Sequence, residues 1–213
     1  MDVLLAVKQV SEKTEAAFSF FRICLAQGGT CAVDEKSNNW TIIRALQHAR
    51  HDWMNHIQLI KGYIALGKTE EAERVIEQVV MQAKQEAHLC NLSLPEFSKM
   101  LITFNWEVHA FQLEYEVLDT NIRIGEDDHY LASWMSSLFC LIENNIETYA
   151  ANHLYLSMEE AEEGIRFFFE FSGIITNTEA LTKDLKEILN APGVKQFKIH
   201  SHSAEAMLFE AVI

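Results

Sequence analysis

None of the four cysteines is spaced as a CxxC pair. Cys24, Cys31, Cys90 and Cys140 stand singly in apolar surroundings, which excludes a zinc site and a disulfide scaffold and fits reduced, buried thiols in a cytoplasmic protein. Positive charge is scarce too. Against 31 Asp and Glu there are 17 Lys and Arg, a formal net charge of −14, and no basic stripe offsets it, so no nucleic-acid partner is expected. Long apolar runs are missing as well. "AAFSFFRICLA", residues 16–26, is interrupted by Arg22 and does not follow a basic leader. It is too short to span a bilayer and lacks the Lys and Arg of a surface anchor, so it reads as a short packed helix and no membrane association is expected. There is no internal repeat and no low-complexity segment. The chain's 213 residues, 49% hydrophobic and 23% charged, suit a globular domain, or a helical module plus a small α/β module.

The segment "AQGGTCAVDEKSNNW", residues 26–40, is rich in turn formers and reads as a linker, with Ser37 to Asn39 available to cap the next helix. From Thr41 to Leu66, Ile42, Leu46, Ala49, Trp53, Ile57, Ile60 and Ile64 recur at steps of three and four, as on a helix with one buried stripe. Gly67 suits a C-cap. Thr69, Glu70 and Glu71 open a second helix on which Ala72, Val75, Ile76, Val79, Ala83 and Ala87 keep the same period. A hairpin of two helices leaves half of each apolar face wet, so two copies are expected to pack as a four-helix bundle.

Pro95 breaks the pattern. A helix is expected at 95–110 (Phe97, Leu101, Phe104, Val108), then a strand in "FQLEYEVL", then a helix from Asp128 to Ala150 along Leu131, Trp134, Leu138, Ile142, Ile146 and Tyr149. "HLYLSM" and "GIRFFFEF" read as strands, "TEALTKDLKEIL" as a helix, and "VKQFKIHS" and "EAMLFEAVI" as closing strands. The fold class is therefore α+β: a helical hairpin followed by an α-β-α-β-β-α-β-β unit, with a helix layer over one mixed sheet. Expected boundaries are an N-terminal extension at 1–36, the hairpin at 37–92 and the α/β unit at 93–213.

Within "ARHDWMNH", residues 49–56, His51 lies about 200° around the helix from Trp53 and off the apolar stripe. It shares its face with Arg44, Gln47, His48, Asn55, Gln58 and Gly62. A solvent-facing neutral imidazole is a nitrogen nucleophile, and imidazole ordinarily titrates near about 6.5, so much of it is neutral at pH 7. Asp52 could hold one ring nitrogen protonated, and Arg50 or Arg44 could receive a phosphoryl oxygen. On residues alone the same pattern also describes an ordinary solvated histidine. His48 with His51 or Asp52 offers only two ligands for a metal, so no metal site is assigned. His200 and His202 flank Ser201 on a strand, facing the same side, and read as surface residues. "FFFEF" has no interleaved cation and reads as sheet core.

"HDWMN" resembles the phosphoacceptor motif of two-component sensor histidine kinases. Together with "ARHDWMNHIQLIKGYIALGKTEEA" and "ITFNWEVHAFQLEYEVL", the chain more closely resembles the sporulation initiation phosphotransferase B family, over residues 41–213 and most strongly at 45–68 and 101–118. The resemblance implies a bundle-forming hairpin, followed by a domain shaped like a kinase ATP-binding domain but unable to use ATP. "CLIENNIETY" is similar to the asparagine-rich helix of ATP-binding relatives, with Asn144 kept and Cys140 in the other key place. "FSGII" keeps Gly173 but has Phe171 for the adenine-reading aspartate and Ile175 for the second glycine, and no Gly-x-Gly lid follows. Phosphate approach needs those glycines. Asn144 and Asn145 are then leftover surface amides, and no cofactor is expected on this chain.

The activity implied is transfer from the aspartyl phosphate of one response regulator to His51 and on to a second regulator, with magnesium held by the regulators. Asp52 would orient His51, Arg50 would stabilise charge, and Arg44, Gln47, His48, Asn55, Gln58, Leu59 and Gly62 would form the docking surface. Two rivals stay open here: a non-catalytic dimeric binding module, and a histidine kinase with a degenerate nucleotide site.

Overall fold

The computed structural model describes residues 40–119, 127–162 and 164–213. The expected helix at 16–26, most of the linker, Ser37 to Asn39, Cys24 and Cys31 lie outside them. The described chain forms two compact units, one ending at His88 and the other beginning at Leu89.

Helix α1 spans Ile42–Ala65, and its cap is Thr41, whose Oγ1 accepts from the Arg44 amide at 3.2 Å. Its C-terminus closes as a Schellman motif: the Lys68 amide donates to the Tyr63 carbonyl at 2.9 Å and the Gly67 amide to Ile64 at 3.0 Å. Gly67 is at φ 69°, where a side chain would be strained. Helix α2, Thr69–Cys90, starts with Glu70 and Glu71 in the first turn, where the helix dipole favours anions. The apolar stripe of α1 is not buried within the chain. Leu46, Trp53, Ile57 and Ile64 are 64%, 58%, 51% and 61% exposed, and only Ala72 and Val75 of the unit's described residues are buried.

The second unit runs α3 (Pro95–Phe104), β1 (Gln112–Val117), α4 (Asp128–Glu143), β2 (His153–Ala161), β3 (Gly164–Ser172), α5 (Thr178–Leu189), β4 (Gln196–His202) and β5 (Ala206–Val212). The sheet order is β1-β2-β3-β5-β4, with β1 and β2 parallel and the other pairs antiparallel. This is the expected element order and mixed sheet. Alternate residues of β3, Ile165, Phe167, Phe169 and Phe171, are fully buried, and Phe169 stacks on Phe209 with ring centroids 4.5 Å apart. "FFFEF" is therefore sheet core at three of its four rings; Phe168 lies on the other face beside His200.

Five expectations need correction. The helix expected to reach residue 110 ends at Phe104, because the Asn105 side chain donates to the Leu113 carbonyl (2.6 Å) and accepts from its amide (3.0 Å), turning the chain into β1. The helix expected to reach Ala150 ends at Glu143, because Ile146 leaves it to bridge Ile175. Val108 and Tyr149, assigned to those buried stripes, are exposed. His200 and His202 do not share a side: a bulge between Ile199 and Ser201 lets His200 meet Glu210 at 3.4 Å, while His202 lies beside α5. Among the cysteines, Cys90 is free as expected but exposed, and Cys140 is buried as expected but disulfide-bonded, so neither is both buried and reduced. No helix among the described residues is long and apolar enough to cross a membrane.

Asn152 is nearly fully buried, and its side chain ties three loops together. Nδ2 donates to the carbonyls of Ala110 (2.9 Å) and Glu147 (2.7 Å), and Oδ1 accepts from the Ile174 amide (3.0 Å). Asn152→Ala strands all three backbone groups and is expected to cost roughly 2–4 kcal/mol, read as a lower midpoint in urea unfolding.

On the open face of the sheet the Tyr155 hydroxyl donates to Glu116. Burial, that hydrogen bond and the charges of Glu116, Glu114 and Glu170 push its pKa up to about 12 from 10.0. The fold thus favours the neutral phenol, a stabilisation complete below pH 10 and lost as pH rises toward 12. Tyr155→Phe should lose less Tm than the parent between those pH values.

Candidate functional site

Helix α1 carries His51 on the face opposite its apolar stripe, and the His51 side chain is 73% exposed. Its Nδ1 lies 3.3 Å from Asp52 Oδ1 and 3.2 Å from Asn55 Nδ2. A single nitrogen cannot donate to the carboxylate and accept from the amide in one tautomer. The carboxylate is the stronger, charged partner, so Nδ1 carries the proton. Turning the Asn55 amide over then places its oxygen against the same N–H. Nε2 keeps its lone pair and has no partner among the described residues. Such a nitrogen can attack an electrophile arriving from solvent.

The other expected site residues are spread around this face. Gln47, Gln58 and Leu59 are exposed. A side chain at Gly62 would meet nothing within 4 Å, so no internal packing requires glycine there, although mid-helix glycine costs about 1 kcal/mol against alanine. Arg50 sits about 100° around from His51 and makes no hydrogen bond or ion pair among the described residues. Arg44 lies over the Trp40 ring at 4.6 Å, and His48 meets the same ring edge-on at 5.0 Å. Trp40, the last residue of the expected linker, is a site residue that no motif marks. Asn55, expected only on the docking surface, also touches the His51 ring.

Charge on α1 runs against the chain. Arg44, Arg50 and Lys61 face only Asp52, a net of +2 in a protein of −14. In the second unit, the positions that resemble nucleotide motifs are taken up by packing. Phe171 and Ile175 are buried. The Asn144 amide reaches Cys140 Sγ at 3.5 Å, and the Asn145 amide donates to Leu141 at 2.9 Å. Gly173, at φ 156°, is held where a side chain would collide with Asn152.

Residues 93–209 match the family model "Sporulation initiation phospho-transferase B, C-terminal", and residues 33–92 match "Sensor_kinase_SpoOB-type, alpha-helical domain". The chain is 34% identical over 163 residues to sporulation initiation phosphotransferase B of Bacillus subtilis (strain 168), an alignment covering 76% of this chain and 85% of that protein. This chain belongs to the sporulation initiation phosphotransferase B family. Among solved structures, it overlaps the histidine kinase AdeS of Acinetobacter baumannii at 14% identity and TM-score 0.40, over 76% of this chain and 96% of that one. A bacterial phosphotransferase overlaps at 14% identity and TM-score 0.33, over 81% and 98%. Membership of the phosphotransferase B family rests on the sequence matches and not on these partial overlaps.

Proposed function

We propose that this member of the phosphotransferase B family relays a phosphoryl group between two response regulators in the control of sporulation initiation, with His51 as carrier. The observation that carries the reading is a wet-face imidazole whose Nδ1 is engaged by Asp52 and Asn55 while Nε2 stays open. Nε2 attacks the phosphorus of an aspartyl phosphate in line. The N–P bond forms as the P–O bond breaks, and its electron pair leaves on the regulator's carboxylate. Asp52 holds the Nδ1 proton and balances the positive charge that the ring gains. The second regulator reverses the step with its own aspartate. Magnesium belongs to the regulators' acidic pockets, and this chain contributes position and charge, where most phosphoryl-transfer catalysis resides.

The +2 island of α1 suits partners with acidic pockets, since complementary charge steers encounter. Docking uses Arg44, Gln47, His48, Asn55, Gln58, Leu59 and Gly62, with Arg50 meeting developing charge at the rim. The exposed stripe of Leu46, Trp53, Ile57 and Ile64 is the seam of a homodimer, which leaves His51 outward on each copy. The protein works in the cytoplasm, with its regulators. It has no autokinase activity, because Phe171, Ile175 and Cys140 stand where base and phosphates would be read.

The test is incubation with a radiolabelled, aspartyl-phosphorylated receiver domain beside a tube of labelled ATP. Acid-labile, base-stable label only from the receiver is the expected result. Label from ATP alone would make the protein a kinase, and no label from either would leave a binding module.

A further inference from the structure

We infer that Trp40 is a positioning residue that sets regulator choice by holding the Arg44 guanidinium and the His48 ring as a fixed edge beside His51. The inference rests on the relay reading, whose docking face it refines. Trp40 stands just before the N-cap, and its ring packs back on the first two turns of α1, under the Arg44 guanidinium at 4.6 Å and edge-on to His48 at 5.0 Å. Arg44 precedes His51 by seven residues, so it lies about 10 Å along the axis and only about 20° around the helix.

Nothing local to the helix calls for this arginine. Position 44 is the third residue of the helix, where a capping box places Glu or Gln and the helix dipole disfavours a cation. The first turn has no acidic residue, and Arg44 has no carboxylate partner among the described residues. The arginine is instead held by an aromatic face, which leaves its N–H groups unspent. A guanidinium held this way is pre-organised for a carboxylate from outside. The partner chemistry is the acidic rim of a receiver domain seated over His51, two helical turns from the reacting phosphorus.

The test uses the full-length chain and a panel of aspartyl-phosphorylated receiver domains from the source organism, with transfer kinetics and equilibrium binding of the unphosphorylated receivers. Trp40→Ala is expected to weaken binding and raise KM about two- to fivefold, the fold-change equivalent of an exposed cation–π contact of about 0.5–1 kcal/mol. The effect on kcat should stay within about twofold. Trp40→Phe should restore much of the loss, and Trp40→Ala with Arg44→Ala should be no worse than Arg44→Ala alone. A fall in kcat at constant KM, or additive losses, would overturn the inference, as would unchanged affinity for every receiver. The two readings fail separately: if no receiver transfers its phosphoryl group, the relay reading falls, while the Trp40 effect is still decided by the binding arm.

Discussion

His51→Gln is expected to lose phosphotransfer by more than about 10³-fold while folding and regulator binding stay near the parent's. The size of the loss follows from the role: a covalent carrier cannot be bypassed, and the His51 ring combines high exposure with a carboxylate and an amide on Nδ1. His56 and His48 are partly buried on the same helix, whereas His51 is exposed. Folding should be spared because the His51 side chain is 73% exposed, and substitutions at such sites ordinarily change stability by less than about 0.5 kcal/mol. Binding and chemistry therefore separate in one variant. A non-catalytic module would behave the same with Gln as with His. Assays of transfer from a labelled receiver and of receiver affinity, run together, distinguish the two.

Trp53→Glu carries the second large effect, on assembly. Leu46, Trp53, Ile57 and Ile64 are all more than half exposed in the single chain, and a two-fold seam through them would bury each residue twice. Glutamate at position 53 would place two unpaired carboxylates in the middle of that seam, a cost of several kcal/mol for the pair. The parent should sediment at twice the chain mass of 24.4 kDa, and the variant at the chain mass at micromolar concentration. A variant that stays dimeric would put the interface elsewhere. The His51 face lies on the far side of α1 from this stripe, so the proposed dimer and docking surfaces should be separable by mutation.

Much of this was legible in the chain because short-range rules govern it. The turn at Gly67 follows from one left-handed residue between two amphipathic periods. Helix α5 has the limits read from "TEALTKDLKEIL", since Asn177 caps it and Leu181, Leu185 and Ile188 fall on one face. The solvent-facing placement of His51 follows from the 100° step alone. The misreadings have long-range causes. Asn105 ends α3 by bonding Leu113, eight residues on, and Ile146 ends α4 by bridging Ile175. A bulge reversed the side of His202 relative to His200, which alternation cannot foresee. Trp40 was hidden by its setting: a tryptophan next to Ser-Asn-Asn reads as linker until its ring is seen against Arg44 and His48. Its spacing of four and eight from those residues was the available signal.

The central claim is a single reactive nitrogen, Nε2 of His51, charged by a regulator. It is tested most directly by phosphorus and nitrogen NMR of the ¹⁵N-histidine-labelled protein after incubation with an aspartyl-phosphorylated receiver domain. The account predicts one phosphoramidate, with phosphorus coupled to Nε2 of one imidazole, absent in His51→Gln and absent when ATP replaces the receiver. A phosphoramidate at Nδ1, on another histidine, or formed from ATP alone would contradict it.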